Sequence, residues 1–155
     1  MKFEVDKKGG AAVTVSLTGV IDESAEQVLL GLTADIDESE TLIFDLAGIE
    51  AINSFGIRNW LKFQTKLKDR SQSIINCPQA MLDAAVMIPT LFPERSVKTA
   101  NLEYFCAKCD MYSQMQVDGS NISSVGNGPD AVCSKCNGEI TVNGGEYSHL
   151  FAQPD

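Results

Sequence analysis

Thr41-Leu42-Ile43-Phe44-Asp45-Leu46 is the stretch that decides the fold. A strand with one wet face alternates apolar and polar residues, whereas a strand covered on both faces reads as a continuous apolar run. Leu42, Ile43, Phe44 and Leu46 follow the second pattern, which puts this strand mid-sheet. Upstream, Phe3 and Val5, then Ala11, Val13, Val15 and Leu17, alternate around Lys8-Gly9-Gly10 as two half-buried strands joined by a hairpin. Gly19 and Asp22 close that unit. Ala25, Val28, Leu29, Leu32 and Ile36 then share one helical face, and Ser24-Ala25-Glu26-Gln27 has capping-box spacing.

Downstream, Ile57, Trp60, Leu61 and Leu67 mark a second amphipathic helix. Its Lys62, Lys66, Lys68 and Arg70 gather toward the C-terminal half, as the helix dipole prefers. Ser73-Ile74-Ile75-Asn76 is a short strand, and Pro78 suits the first turn of a third helix with Met81, Leu82, Ala85 and Val86, which Pro89 ends. Ser96-Val97-Lys98-Thr99 reads as one more strand. Strands separated by helices of this length imply β-α-β units, hence an α/β layer with a mixed, largely parallel sheet.

The composition of this 155-residue chain divides it into residues 1–98, an α/β domain, and residues 99–155, a small β-rich segment. The second is too short and too polar to rely on a hydrophobic core alone. Only 119–130, rich in Ser, Asn and Gly, resembles a mobile loop. The net charge of −9 is spread along the chain, 9 basic against 14 acidic residues up to residue 97 and 3 against 7 beyond it. Such a chain repels phosphate backbones, so nucleic acid is not an expected partner. No run approaches the roughly 18 to 20 apolar residues of a membrane span. Met1-Lys2-Phe3-Glu4-Val5-Asp6 is alternating and charged, without an apolar secretion segment behind it, and a cytoplasmic location is expected.

The second segment carries two matching pairs, Cys106-Ala107-Lys108-Cys109 and Cys133-Ser134-Lys135-Cys136, with 23 residues between them. Each pair places two sulfurs on one tight turn, and two facing turns supply a closed four-thiolate zinc site. Disulfides would need an oxidising compartment, and a redox Cys-x-x-Cys would need no twin. Iron is the competing metal for four thiolates. Asn137-Gly138 offers residues that accept positive φ where the second ligand turn closes. A closed site leaves no position for water or substrate, so the metal is structural: a zinc ribbon whose loss on chelation is expected to unfold the C-terminal third.

Four motifs in order, Leu17-Thr18-Gly19-Val20-Ile21-Asp22, Leu42-Ile43-Phe44-Asp45-Leu46-Ala47-Gly48-Ile49, Ile52-Asn53-Ser54-Phe55-Gly56-Ile57 and Ile74-Ile75-Asn76-Cys77-Pro78, resemble the STAS domain of bacterial anti-sigma-factor antagonists. The resemblance spans about residues 3–98 and implies a STAS-like fold followed by the ribbon, which lies where the family usually places a last helix. It also implies a non-enzymatic bacterial signalling protein that binds a kinase or anti-sigma partner through Asp22, Asn53, Ser54 and Phe55. Ser54 matches the family's phosphorylated serine. Asn53 stands where the family usually has Asp, and Phe55 where a small residue is common.

Without the family, Ser54 starts a helix, where unpaired N–H groups and the positive dipole end accept either a capping oxygen or a phosphate. Asp22 follows the second strand and Ser54 the third, so both are expected along one sheet edge. The alternative function is a phosphorylation-independent adaptor in a bacterial signalling complex, docking through the ribbon. An enzyme is not expected, because neither a nucleophile–base pair nor an open metal site is visible. Cys77 and Trp60 read as core residues, Asp45 as a strand-end turn cap, and His149, the only histidine, as a bystander. Gly9-Gly10 and Gly144-Gly145 lack any nucleotide-binding context.

Overall fold

The computed structural model describes all residues except 8–9, 39, 123–131, 143–145 and 154–155. The hairpin tip at Lys8-Gly9, most of the 119–130 loop and Gly144-Gly145 therefore lie outside the described residues. The first sheet orders β1 (Lys2–Asp6), β2 (Ala12–Ile21), β3 (Thr41–Ile52) and β4 (Gln72–Ile75) side by side. β1 runs antiparallel to β2, while β2, β3 and β4 are parallel. The parallel steps are crossed by α1 (Ala25–Asp35) and α2 (Ser54–Lys66). After β4 come the two-residue β5 (Cys77–Pro78) and α3 (Gln79–Met87), and β6 (Thr99–Cys106), β7 (Met111–Asp118) and β8 (Ile140–Val142) complete a second mixed sheet. The protein is thus a mixed α/β fold with three helices and two mixed sheets among the described residues.

β3 is central, as its composition predicts, but its faces are unequal. Leu42, Phe44 and Leu46 are fully buried, and Thr41, Ile43 and Asp45 only half-buried. The strand also continues to Ile52, so Asp45 sits inside it rather than at its end. The Asp45 carboxylate instead accepts from the Ala47 N–H and the Asn76 amide, both at 3.0 Å. The β2–β3 register shifts between Ser16 and Thr18 and again between Gly19 and Val20. Gly19 there has φ +97°, a conformation strained for any side chain.

The helices bury the predicted stripes with small changes. Ala25, Leu29, Leu32 and Ile36 are buried, whereas Val28 is half-exposed. The capping box does not form: Ser24 flanks α1 without a side-chain cap, and its hydroxyl donates to the Asp22 carboxylate at 2.6 Å. In α2 the buried stripe is Trp60 and Phe63, continued by Leu67 at the C-cap, with Ile57 and Leu61 at its margin. Trp60, Phe63 and Phe44 pack with ring centroids 5.6–5.8 Å apart, and the indole N–H donates to the Leu91 carbonyl at 2.9 Å. Cys77 is fully buried, and burial pushes its thiol pKa up.

The buried core does not stop at the 98/99 boundary drawn from the sequence. Ala100, Leu102, Val117, Tyr147, Leu150 and Phe151 belong to the same buried cluster as Phe44 and Trp60. Ser96–Thr99 contributes one bridging residue, Val97, which pairs parallel with Ile74 on one side and with Phe151 on the other. The Val97 N–H reaches the Leu150 carbonyl at 3.1 Å, and the Ala152 N–H reaches the Val97 carbonyl at 2.8 Å. The tail thus adds a rung beyond β4. Because Phe151 is fully buried, Phe151→Ala should cost about 3–5 kcal/mol. Chemical denaturation should show the loss in the single transition of the whole chain, and a cost below about 1 kcal/mol would mean the tail is peripheral.

Candidate functional sites at the start of helix 2 and at the cysteine cluster

The start of α2 is fixed by contacts with the β2–α1 turn. Asn53 is the N-cap: extended at φ −107°, ψ 178°, it accepts the Gly56 N–H on its side-chain oxygen at 2.8 Å. Its own N–H donates to the Ile21 carbonyl at 3.1 Å, and its amide nitrogen lies 3.3 Å from the Glu23 carboxylate. With Oδ1 committed to Gly56, the nitrogen must face Glu23, which settles the amide orientation. Gly56 touches the end of β2 so closely that a Cβ there would lie 1.8 Å from the Ile21 carbonyl oxygen. One turn further on, the buried Asn59 donates to the Asp22 and Glu23 carbonyls at 3.1 and 3.4 Å.

These contacts bring Asp22, Asn53, Ser54 and Phe55 to one lip of the sheet. Ser54 is the first helical residue and exposed, and the capping role that is one of its two readings belongs to its neighbour Asn53. Phe55 is 60% exposed. Hydrogen bonds from the Ser24 hydroxyl and then from the Ser24 N–H hold the Asp22 carboxyl below its ordinary pKa, so the lip is anionic at neutral pH. A shallow cavity of about 270 Å³ beside it is lined by Phe55, Glu23, Glu26, Arg58, Asn59 and Lys62. Sequence reasoning quoted Gly56 within a motif without its packing role and missed Asn59. Their signals were a glycine within the first helical turn and a carboxamide beside Trp60 on the buried stripe.

The second site lies at the far end of β6 and β7. The sulfurs of Cys106, Cys109, Cys133 and Cys136 all lie within 4.8 Å of one another. Cys106 and Cys136 are 3.5 Å apart, and Cys109 and Cys133 are 3.8 Å apart, beyond any disulfide bond. Four thiolates about 2.3 Å from a common metal have tetrahedral edges of about 3.8 Å, so the cluster fits one ion. The two loops are closed alike: the residue after each second cysteine, Asp110 and Asn137, has positive φ, 53° and 54°. Asn137 confirms the expected turn, and Asp110 is its unanticipated twin. Gly138 keeps this turn uncrowded, since a Cβ there would make a tight 3.1 Å contact with the Cys136 sulfur.

Backbone N–H groups point at the sulfurs, from Cys109 to Cys106, from Lys135 to Cys133 and from Gly138 to Cys136, each at 3.4 Å. Such donors favour thiolate over thiol. The N–H groups of Lys135 and Cys136 pull the Cys133 pKa down to about 6. Cys109 is pushed up to about 12, first by its hydrogen bond with Cys136 and then by desolvation. Tyr104 and Ile140 form a small apolar cluster with the cysteines, separate from the main core. His149 is exposed and takes no part.

No family model matches the chain, and no curated protein matches it. Among solved structures, the chain is similar to the crystal structure of an anti-sigma factor antagonist from Mycobacterium paratuberculosis, at 22% identity and a TM-score of 0.45, covering 57% of this chain and 77% of that one. It is also similar to a crystal structure of Mglu, at 22% identity and a TM-score of 0.41, covering 46% of this chain. The chain spans only 18% of the length of that second protein. Among the described residues, no helix is long and apolar enough to cross a membrane.

Two predictions follow from this geometry. Gly56→Ala drives a methyl into the Ile21 carbonyl and should cost more than the ~1 kcal/mol of an ordinary cap loss, measured by urea denaturation. An unchanged midpoint would mean that the helix start shifts freely. Chelation should abolish amide-exchange protection around Tyr104–Met111 and Cys133–Ile140 while β2 and β3 stay protected, because only the small cluster rests on the cysteines. This narrows the expected loss of the whole C-terminal third, since most of its buried residues share the main core.

Proposed function

We propose that this chain is a non-enzymatic signalling protein of the anti-sigma-antagonist type that binds a protein partner through the lip formed by Asp22, Asn53, Ser54 and Phe55. A kinase or anti-sigma factor is the partner class, and phosphorylation of Ser54 is the switch. The observation that carries this reading is the division of labour between neighbours: Asn53 caps α2, so the exposed Ser54 hydroxyl is not spent on holding the helix. The four sequence motifs supply the functional class, and the exposed Phe55 supplies an aromatic anchor of the kind that dominates interfaces. In this reading the cysteines hold a structural Zn2+, favoured by a closed, thiolate-only donor set.

Phosphate on Ser54 adds about −1.5 to −2 charges at pH 7, which the first turn of α2 tolerates through its free N–H groups. The neutral Asn53 spares the phosphate a carboxylate neighbour at the position where the family usually carries one. What changes is the outward field, because Asp22 and Glu23 already make the lip anionic and an acidic partner surface is then repelled. The protein is accordingly a binding module whose affinity, and not its shape, is regulated.

Intact mass measurement of protein purified from its own cells should show a +80 Da species (one phosphate) that disappears in Ser54→Ala. The partner captured by wild-type protein should bind Ser54→Asp more than tenfold less tightly, about 1.4 kcal/mol, while the melting temperature moves by only a few degrees. Equal affinity of wild type and Ser54→Asp would rule out the charge switch. A partner insensitive to both Ser54 variants but lost on replacing Cys106 and Cys109 would instead establish the adaptor that docks through the ribbon.

A further inference from the structure

The four cysteines of the cluster are not equivalent. Cys106 and Cys133 are buried, whereas Cys109 and Cys136 are half-buried. Hydrogen bonds separate them further. The N–H groups of Cys109, Lys135 and Gly138 are directed at the sulfurs of Cys106, Cys133 and Cys136, and among the described residues no backbone N–H is directed at the Cys109 sulfur. The reason is local. Each loop turns through a positive φ after its second cysteine, at Asp110 and Asn137, and in the second loop the next residue, Gly138, returns its N–H to Cys136. In the first loop the next residue is Met111, which opens β7 in register with Cys106. Cys109 alone in the cluster is thus both reachable and without an N–H donor.

We propose that Cys109 is the modification site of the cysteine cluster, the thiolate that attacks a soft electrophile or a peroxide first. The inference rests on the reading that the cysteines hold Zn2+. A bound metal keeps all its sulfur ligands as thiolates, so access and electron density rank their reactivity. An N–H donor that stabilises a thiolate weakens it as a nucleophile. Cys136 is half-buried like Cys109 but shares a lone pair with Gly138, and Cys106 and Cys133 are both covered and hydrogen-bonded. Cys77 does not compete, because it is fully buried in the main core. With a peroxide, a Cys109 lone pair forms the S–O bond as the O–O bond breaks. The sulfur is oxidised to a sulfenic acid, and the departing hydroxide carries away the electron pair and takes a proton from solvent. The cluster then loses one of its four thiolate donors, and the apolar cap over Tyr104 and Ile140 loses the closure it rests on.

Limiting N-ethylmaleimide on the full, metal-loaded chain, followed by peptide mapping, tests the proposal. The thiolate adds to the maleimide double bond and the adjacent carbon takes a proton from water, so each adduct marks the sulfur that reacted. The first adduct should map to Cys109, several-fold ahead of Cys136 and with Cys77 untouched, and Zn2+ should reach a chromogenic chelator in step with it. Limiting hydrogen peroxide, with the sulfenic acid trapped by dimedone, should give the same order. Equal labelling of Cys109 and Cys136 would show that exposure alone ranks the sulfurs and would overturn the proposal. A first adduct on any other cysteine overturns it equally, as does a Cys109 adduct that leaves Zn2+ bound. Metal content, measured beforehand by elemental mass spectrometry, keeps two failures apart. A purified chain with no bound ion refutes the metal reading and the proposal with it, whereas a loaded chain labelled elsewhere refutes the proposal alone.

Discussion

The structure depends on one residue that joins two loops through its side chain and its backbone. Asn53 takes the Gly56 N–H, gives its own N–H to the Ile21 carbonyl and directs its amide to Glu23, so the start of α2 is tied to the end of β2 and the opening of α1. Gly56 permits that closeness because no Cβ fits beside the Ile21 carbonyl. An aspartate at 53 would keep the cap but turn a second carboxylate toward Glu23, whereas the amide offers a donor there. The amide therefore suits this lip better than a carboxylate would.

That joint separates the residue that holds the helix from the exposed residue beside it. The cap and the exposed Ser54 hydroxyl belong to adjacent but separate residues. The buried Asn59 adds a second tie from α2 to the Asp22 and Glu23 carbonyls. The lip is thus tied to the β2–α1 turn at two points on α2. At the other end of the molecule the cysteine cluster serves a different purpose. It closes a small apolar cap over Tyr104 and Ile140, too small to persist alone, while the following chain returns Phe151 to the main core.

Much of this was legible in the chain. The apolar run at 42–46 located the central strand because burial on two faces removes the polar alternation, and the twin Cys-x-x-Cys pairs located the cluster because ligand spacing is a local property. The positive φ at Asn137 was readable for the same reason. The Ser24 capping box failed through local competition: the Asp22 carboxylate, two residues back, captures the Ser24 hydroxyl first. Long-range facts were hidden. Nothing local announces that Phe151 completes the first sheet, that Asn59 is buried against a loop some 36 residues earlier, or that Asp45 lies inside a strand carried on to Ile52. Ser54 itself was ambiguous between cap and switch, since either neighbour of a helix start can supply the oxygen, and only the backbone geometry assigns the role to Asn53.

The central claim is that Asn53 holds the helix and leaves Ser54 free, and the stabilities of Asn53→Ala and Ser54→Ala, measured side by side by urea denaturation, test it most directly. The account predicts a loss of about 1 kcal/mol or more for Asn53→Ala, which gives up the cap and the Glu23 contact together. For Ser54→Ala it predicts a change within about 0.5 kcal/mol, because alanine suits an exposed first-turn position. The reverse order, with Ser54→Ala the costlier change, would show that Ser54 caps α2 and would contradict the account.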